Sequence, residues 1–254
     1  MREDIENKKK LLDERRPLAP GTVAQLDAWY DVELTYSSNA IEGNTLTRSE
    51  TAIVLEKGIT VRGKPLKDHL EAADHKDALD YVRALAGRDE PLREADIREL
   101  HKLVVGRSLP KEAGRYATVQ RFIQGSLVSF PPPAEIGPLM GDFATWLGQA
   151  SMTPETAFEA HAQLVGIHPF TDGNGRTARL LMNLVLLRDG WPPVIIGPEH
   201  RPDYLDALEA RQINGNDEPY RAFMEDRLSE SLDRYVEALS KELEARPAGP
   251  TRRP

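Results

Sequence analysis

Twelve consecutive residues, His168-Pro-Phe-Thr-Asp-Gly-Asn-Gly-Arg-Thr-Ala-Arg179, bring together a base, a carboxylate, two glycines and two arginines. After Gly175 the run Arg-Thr-Ala-Arg-Leu-Leu-Met-Asn-Leu-Val-Leu-Leu favours helix, so Asp172 to Gly175 reads as the turn that opens a buried helix. The first amides of a helix lack a carbonyl partner within it and stand at the positive end of its dipole. The N–H groups of Gly173, Asn174 and Gly175 would thus form an anion site, and the glycines let a phosphate approach without a Cβ in the way. Arg176 and Arg179, three apart, share a helical face and can reach further phosphate oxygens. A carboxylate beside such a site makes sense if a divalent cation, Mg²⁺ first among the candidates, stands between Asp172 and the phosphates. His168 can be neutral at physiological pH and take a proton from an attacking group. Singly, each residue has a commoner role as an N-cap, a turn, a core histidine or a solvated arginine; their occurrence in one run points to phosphate chemistry.

The run resembles the signature of the Fic family, His-Pro-Phe-x-(Asp/Glu)-Gly-Asn-Gly-Arg-x-x-Arg, and matches it at every defined position. Further upstream, Ser38 and Glu42 lie four apart in Ser38-Asn-Ala-Ile-Glu42-Gly43 and so share a face of a terminal helical turn. Alone, Glu42 reads as a surface charge. The segment nevertheless resembles the inhibitory motif of the same family, (Ser/Thr)-x-x-x-Glu-(Gly/Asn). The resemblance covers roughly residues 22 to 230. It implies an all-α Fic fold with one small β-hairpin flap, and an enzyme that transfers AMP from ATP to a Tyr, Thr or Ser hydroxyl of a target protein or of itself. In that reading His168 is the base, Asp172 holds Mg²⁺, and the stretch Asp172, Gly173, Asn174, Gly175, Arg176, Thr177, Ala178 and Arg179 cradles the nucleotide. Arg179 binds the outer phosphate unless Glu42 occupies it. The flap residues Ile123, Gln124, Gly125 and Ser126 border the nucleotide, and Tyr204 and Asn214 lie near its base. The family's Gly-Arg-Tyr run usually continues with arginine, where this chain has Ala117. Three other functions stay open: transfer of UMP, phosphate or phosphocholine; removal of AMP with Glu42 positioning water; and a non-catalytic nucleotide-sensing module, against which His168 and Asp172 argue.

These residues need a scaffold, and 254 residues can bury a sizeable core. A net charge of -8 argues against general affinity for nucleic acid or anionic membrane, and without cysteine there are no disulfides or thiolate metal sites. The charged amino terminus lacks the apolar region of a secretory signal, and the longest apolar run is too short to span a bilayer, so a cytosolic protein is expected. The sequence leaves room for a homodimer. Its expected divisions are a helical region carrying the inhibitory helix at 1–93, a catalytic core at 94–230, and a helix end with a disordered tail at 231–254.

In order, the first seventeen or so residues read as a charged, frayed lead-in. A helix follows from Thr22, with a capping-box pattern, to Gly43 as a left-handed C′ residue. Thr47-Arg-Ser-Glu50 opens a short helix ending at Gly58, and another runs from Leu66 to Gly87. His69 and His75 within it are six apart, on different faces, and read as structural rather than metal-binding. Ile97, Leu100, His101 and Val104 mark an amphipathic helix in which His101 is packed. Val119–Ile123 and Leu127–Phe130 read as the strands of the hairpin, ended by Pro131-Pro-Pro133. Helices follow over 136–147, from Pro154 behind the N-cap Thr153 with His161 in the core, through the signature to Gly190, over 201–213, and over 219–243.

Overall fold

Helix α8, Asn174–Arg188, stands at the centre because it is buried on every side: Leu180, Leu181, Met182, Leu184, Val185 and Leu186 are all buried, as are Arg176, Arg179 and Asn183. The computed structural model describes residues 2–121 and 128–245. Besides α8, those residues form α1 (Arg2–Asp13), α2 (Pro20–Ile41), α3 (Arg48–Lys57), α4 (Leu66–Ala86), α5 (Glu94–Val104), α6 (Pro133–Gln149), α7 (Pro154–Ile167), α9 (Arg201–Asn214) and α10 (Glu218–Ala245). The fold is all-α as expected. Helix α7 packs along α8 on one side and α4 and α5 on another, while α2 reaches it with its carboxyl end.

Local chemistry accounts for most boundaries. Thr47 and Glu50 form a reciprocal capping box at the start of α3, and Gly58 ends it at φ 63. Thr153 accepts from the Thr156 amide with Pro154 at the first helical position of α7. Gly43 follows α2 at φ 93 and Gly190 follows α8 at φ 69, the left-handed values expected of both.

Two expectations near the amino terminus are corrected. The lead-in is a helix, α1, whose Ile5 and Leu12 are 5% and 0% exposed. Seven residues apart, they lie on one face and meet α10, and Lys8 reaches Asp4 at 2.9 Å and Asp233 at 2.8 Å. A dozen residues with so few apolar side chains read as solvated until the partner helix is present. Helix α2 begins at Pro20, not at Thr22, because proline's fixed φ suits the first turn.

The hairpin is not seen. Residues 119–121 and 128–130 carry no strand, although Gln120 Nε2 donates to the Phe130 carbonyl at 2.8 Å and so joins the two flanks. The remainder of that expectation, with Ile123, Gln124, Gly125 and Ser126, lies outside the described residues, as does the part of the expected tail beyond Ala245. One buried apolar cluster extends from Ile5 to Leu232 and crosses the expected divisions at 93 and 230.

Candidate active site at the start of helix α8

His168 ends α7 in the left-handed conformation, φ 50 and ψ 54, and among the described residues no other non-glycine has a positive φ. For a residue with a Cβ this costs about 1–2 kcal/mol, and such strain gathers at functional sites. The amide of His168 still donates to Leu164 O at 3.0 Å, so the kink turns the side chain out of the helix without breaking its last bond. The ring stacks on Phe130 at 4.0 Å. Burial lowers its pKa from the ordinary value, with the Val165 carbonyl partly opposing, so the imidazole is neutral at pH 7 and ready to take a proton.

The turn that follows is held from inside. Asn174 Oδ1 accepts from the Phe170 amide at 2.9 Å while its Nδ2 donates to Phe170 O at 2.8 Å. The Asn174 side chain is therefore committed to the turn, and its backbone amide is what it can offer an anion. Gly173, at φ 79, could not be another residue: a Cβ there would lie 2.9 Å from Val105 Cγ1. Beneath it, the His101 ring is stacked 3.7 Å from Phe170. The Gly114 amide donates to His101 Nδ1 at 3.0 Å, which leaves Nε2–H to donate to Asp172 O at 2.9 Å. Burial pushes the His101 pKa down to about 4, against the opposing Asp172 carbonyl, and so keeps the ring neutral.

The free amides at the start of α8 are displaced by one residue from those expected. Gly173 N–H is taken by Asp172 Oδ1 at 2.5 Å and the helix begins at Asn174, so the amides without an intrahelical carbonyl belong to Asn174, Gly175 and Arg176. Arg176, 1% exposed, donates from Nη2 to Asp172 Oδ1 at 3.1 Å, and its Nη1 lies 3.3 Å from Glu71 Oε1 on α4 as an ion pair rather than an aligned hydrogen bond. Its Nε is a buried donor without a hydrogen-bond partner. Glu71 also accepts from Asn44 Nδ2 at 3.0 Å.

Arg179 is gripped by the end of α2. It donates from Nε to Ser38 Oγ at 3.0 Å, and from Nη2 to Ser38 O at 2.9 Å and to Glu42 Oε1 at 2.8 Å. Burial opposes its charge, but Glu42 and Tyr204 outweigh burial and the net shift is upward. A Cβ on Gly175 would fall 2.4 Å from Glu42 Oε1 and 3.0 Å from Arg179 Nη1. The chain's own carboxylate thus lies over the first turn of α8, where an anion would bind.

Other expected site residues are placed elsewhere. Thr177 and Ala178 are both 0% exposed, on the inner face of α8. Tyr204, 2% exposed, has its hydroxyl 2.8 Å from His161 Nε2. Asn214 is exposed at the end of α9. His69 and His75 have structural partners: His69 Nε2 accepts from Val61 N at 2.8 Å, and His75 Nδ1 is 3.1 Å from Thr35 Oγ1. Among the described residues no group of three or more His, Asp or Glu could hold a metal. Asp172 is a lone carboxylate, 43% exposed and bonded through Oδ1, which fits a cation carried chiefly by a ligand's phosphates and water. Sequence reasoning missed Glu71, the positioning role of His101, and Phe130; only the 3.6-residue spacing around His101 hinted at the second.

A family model described as Fic/DOC family matches residues 91–186. Protein adenylyltransferase Fic of Nematostella vectensis is 41% identical over 208 residues, covering 79% of this chain and 48% of its own length. Protein adenylyltransferase fic-1 of Caenorhabditis elegans is 36% identical over 212 residues, covering 80% and 41%. The chain spans about half the length of the curated relatives it matches. Among solved structures, a Fic-1 segment from C. elegans aligns with a TM-score of 0.85 at 33% identity, over 95% of this chain and 73% of that one. A Fic domain containing signaling protein from Bacteroides thetaiotaomicron aligns with a TM-score of 0.85 at 29% identity, over 94% and 98%.

Proposed function

The chain belongs to the Fic/DOC family, and we propose that, like the relatives named protein adenylyltransferase, it transfers AMP from ATP to a hydroxyl of a protein side chain. One observation carries this reading: Glu42 Oε1 sits against both Gly175 and Arg179, so an anionic group already fills the cradle that a nucleotide's outer phosphate would need. The amides of Asn174, Gly175 and Arg176 would bind phosphate oxygens and stabilise the charge that develops on the transferred group. Neutral His168 would accept the proton of the attacking Tyr, Thr or Ser hydroxyl as its oxygen bonds to the α-phosphorus and the bond to pyrophosphate breaks. A Mg²⁺ ion entering with the nucleotide would neutralise phosphate charge, with Asp172 as its protein ligand. Arg179 would hold the outer phosphate once Glu42 withdraws. A cytosolic setting, where ATP is at hand, is part of the same proposal, and the target protein and any homodimer belong to it too.

Incubation with ATP labelled at either the α or the γ position tests it, with mass spectrometry of the modified protein. Label from the α position is expected in protein with EDTA suppressing it, and His168→Ala should reduce transfer by about 10²- to 10⁴-fold while ATP still binds. Incorporation of γ-label would instead make the chain a phosphotransferase. A second reading, removal of AMP from a modified protein, is favoured by the Glu42 carboxylate lying over the start of α8, where it could position water. It predicts loss of AMP from a premodified target, abolished by Glu42→Gly.

A further inference from the structure

Five of the six histidines are fixed through a ring nitrogen. His69, His101 and His161 bond through both nitrogens, His75 Nδ1 lies 3.1 Å from Thr35 Oγ1, and Arg227 Nη1 donates to His200 Nε2 at 2.6 Å. His168 is the exception. Its Nδ1 is buried without an aligned hydrogen bond, and among the described residues none is made to Nε2 either. A base that must receive a proton on Nε2 cannot spend that nitrogen on its own orientation, so the ring has to be held by its faces.

Phe130 supplies such a face. Its ring lies 4.0 Å from the imidazole, centroid to centroid, with 24° between the planes. Phe130 is 4% exposed but belongs to neither of the two apolar clusters that the described residues form, so filling the core does not account for its burial. Its backbone is pinned as well. Gln120 Nε2 donates to its carbonyl at 2.8 Å, and Pro131 to Pro133 follow at once, with Pro132 as the N-cap of α6 and Pro133 at its first position. A residue before proline is confined to extended backbone, which removes much of the freedom to swing the ring away. His168 is itself held in the left-handed region at φ 50, so both rings project from constrained backbone.

Resting on the role of base given to His168 above, we infer that Phe130 is a positioning residue, whose ring face sets the plane of the imidazole so that Nε2 meets the attacking hydroxyl. An aromatic face suits this task because it takes up no nitrogen. It also serves both protonation states: the neutral ring stacks on it, and the imidazolium formed as the hydroxyl proton passes to Nε2 gains a cation–π attraction. The contact thus persists while the hydroxyl oxygen bonds to the α-phosphorus and pyrophosphate leaves.

The test is a double-mutant cycle of Phe130→Leu and His168→Ala in the Glu42→Gly background, read as AMP transfer at saturating ATP. Leucine keeps the apolar bulk and loses the flat face. Phe130→Leu should lower kcat about tenfold, the upper scale of one aromatic pair, with ATP affinity by calorimetry within about twofold of the parent. With His168→Ala present, the same change should alter the residual rate by less than about twofold, because no ring is left to position. Phe130→Tyr, which keeps the face, should restore kcat. In otherwise unsubstituted protein, the carbon-bound ring protons of His168, shielded by the Phe130 face, should move downfield in Phe130→Leu and stay in place in Phe130→Tyr. A loss that persists undiminished with His168→Ala, an equal loss in the leucine and tyrosine variants, or no loss overturns the inference and leaves Phe130 a packing residue. If Phe130→Leu does not fold, Phe130→Met is read in its place. If Glu42→Gly transfers no AMP, the adenylyltransferase reading fails by itself. The hold on His168 is then judged on the ring protons alone, which overturn it if they stay unmoved in Phe130→Leu.

Discussion

Arg176 and Arg179 stand three residues apart on the first turns of one helix, both are buried, and both meet a glutamate from a distant part of the chain, yet their surroundings differ in kind. Glu71 lies inside α4 with 8% of its side chain exposed, whereas Glu42 caps the end of α2 with 40% exposed. An ion pair of the first sort is locked, because neither partner can be rehydrated alone. The second can open by movement of the Glu42 side chain, since Glu42 is already 40% exposed and Arg179 keeps its acceptors at Ser38. One arginine is thus built as an anchor of the turn and the other as a site of exchange. The distinction lies in how far the partner is buried, not in the arginines themselves.

The largest expected effect separates the two by truncation. Arg176→Ala should destabilise the fold by up to about 3–5 kcal/mol, since it leaves buried Glu71 with only the exposed Lys67, 3.4 Å away, as a countercharge. Arg179→Ala should cost roughly half as much or less, because Glu42 is then free to face water. Denaturant unfolding of both variants at pH 7.5 checks this, and equal costs would erase the difference between anchor and exchange site.

A smaller effect comes from the neutral histidines that wall both arginines. Burial first, then the arginine charges, pushes His75 to about 3 with Arg176 and Arg179 nearby. Burial likewise pushes His161 to about 3, with Arg179 beside it, and His101 to about 4, with Arg176 beside it. A folded pKa below the unfolded value of about 6.5 means that the unfolded chain takes up protons first, so stability is full above pH 7 and falls as pH drops below 6.5 toward 4. From pH 7.5 to 6 the three together should cost about 2 kcal/mol, read as a lower denaturant midpoint at the same slope. A midpoint that rises or stays level over that interval would mean the rings are already charged in the fold.

The smallest change in free energy gives the most visible change in activity. Glu42→Gly should raise automodification about tenfold, equivalent to about 1.4 kcal/mol in the competent population, with little loss of stability. Adding Arg179→Ala should cancel much of the gain. An unchanged rate in Glu42→Gly would sink the idea that the end of α2 is the brake.

Most of the site was legible along the chain because its information is local. The signature places a base, a turn and a helix start within one run of twelve residues, and a turn's glycines or a cap's hydroxyl act on neighbours in sequence. The pairing of Glu42 with Arg179 was legible only through family resemblance, since a glutamate four residues after a serine at a helix end is otherwise a surface charge. Where reasoning along the chain failed, the missing partner was remote. Helix α1 needs α10 to bury Ile5 and Leu12. The bond between Tyr204 and His161 likewise joins residues 43 apart, on α9 and α7, and no spacing along the chain announces it.

By itself, then, the sequence determined the helices after α1, the turn before α8, and the identity of the groups proposed to hold phosphate and move a proton, because backbone preference and side-chain chemistry act within a few residues. Tertiary structure alone decided that the free amides of α8 begin at Asn174 rather than Gly173 and that the Asn174 side chain closes the turn. It also decided that Glu71 pairs with Arg176 and that the Ser38 hydroxyl and carbonyl hold Arg179. Burial sets these outcomes: a charge or hydroxyl removed from water must find a partner in whatever the fold brings beside it, and that neighbour is rarely close in the chain.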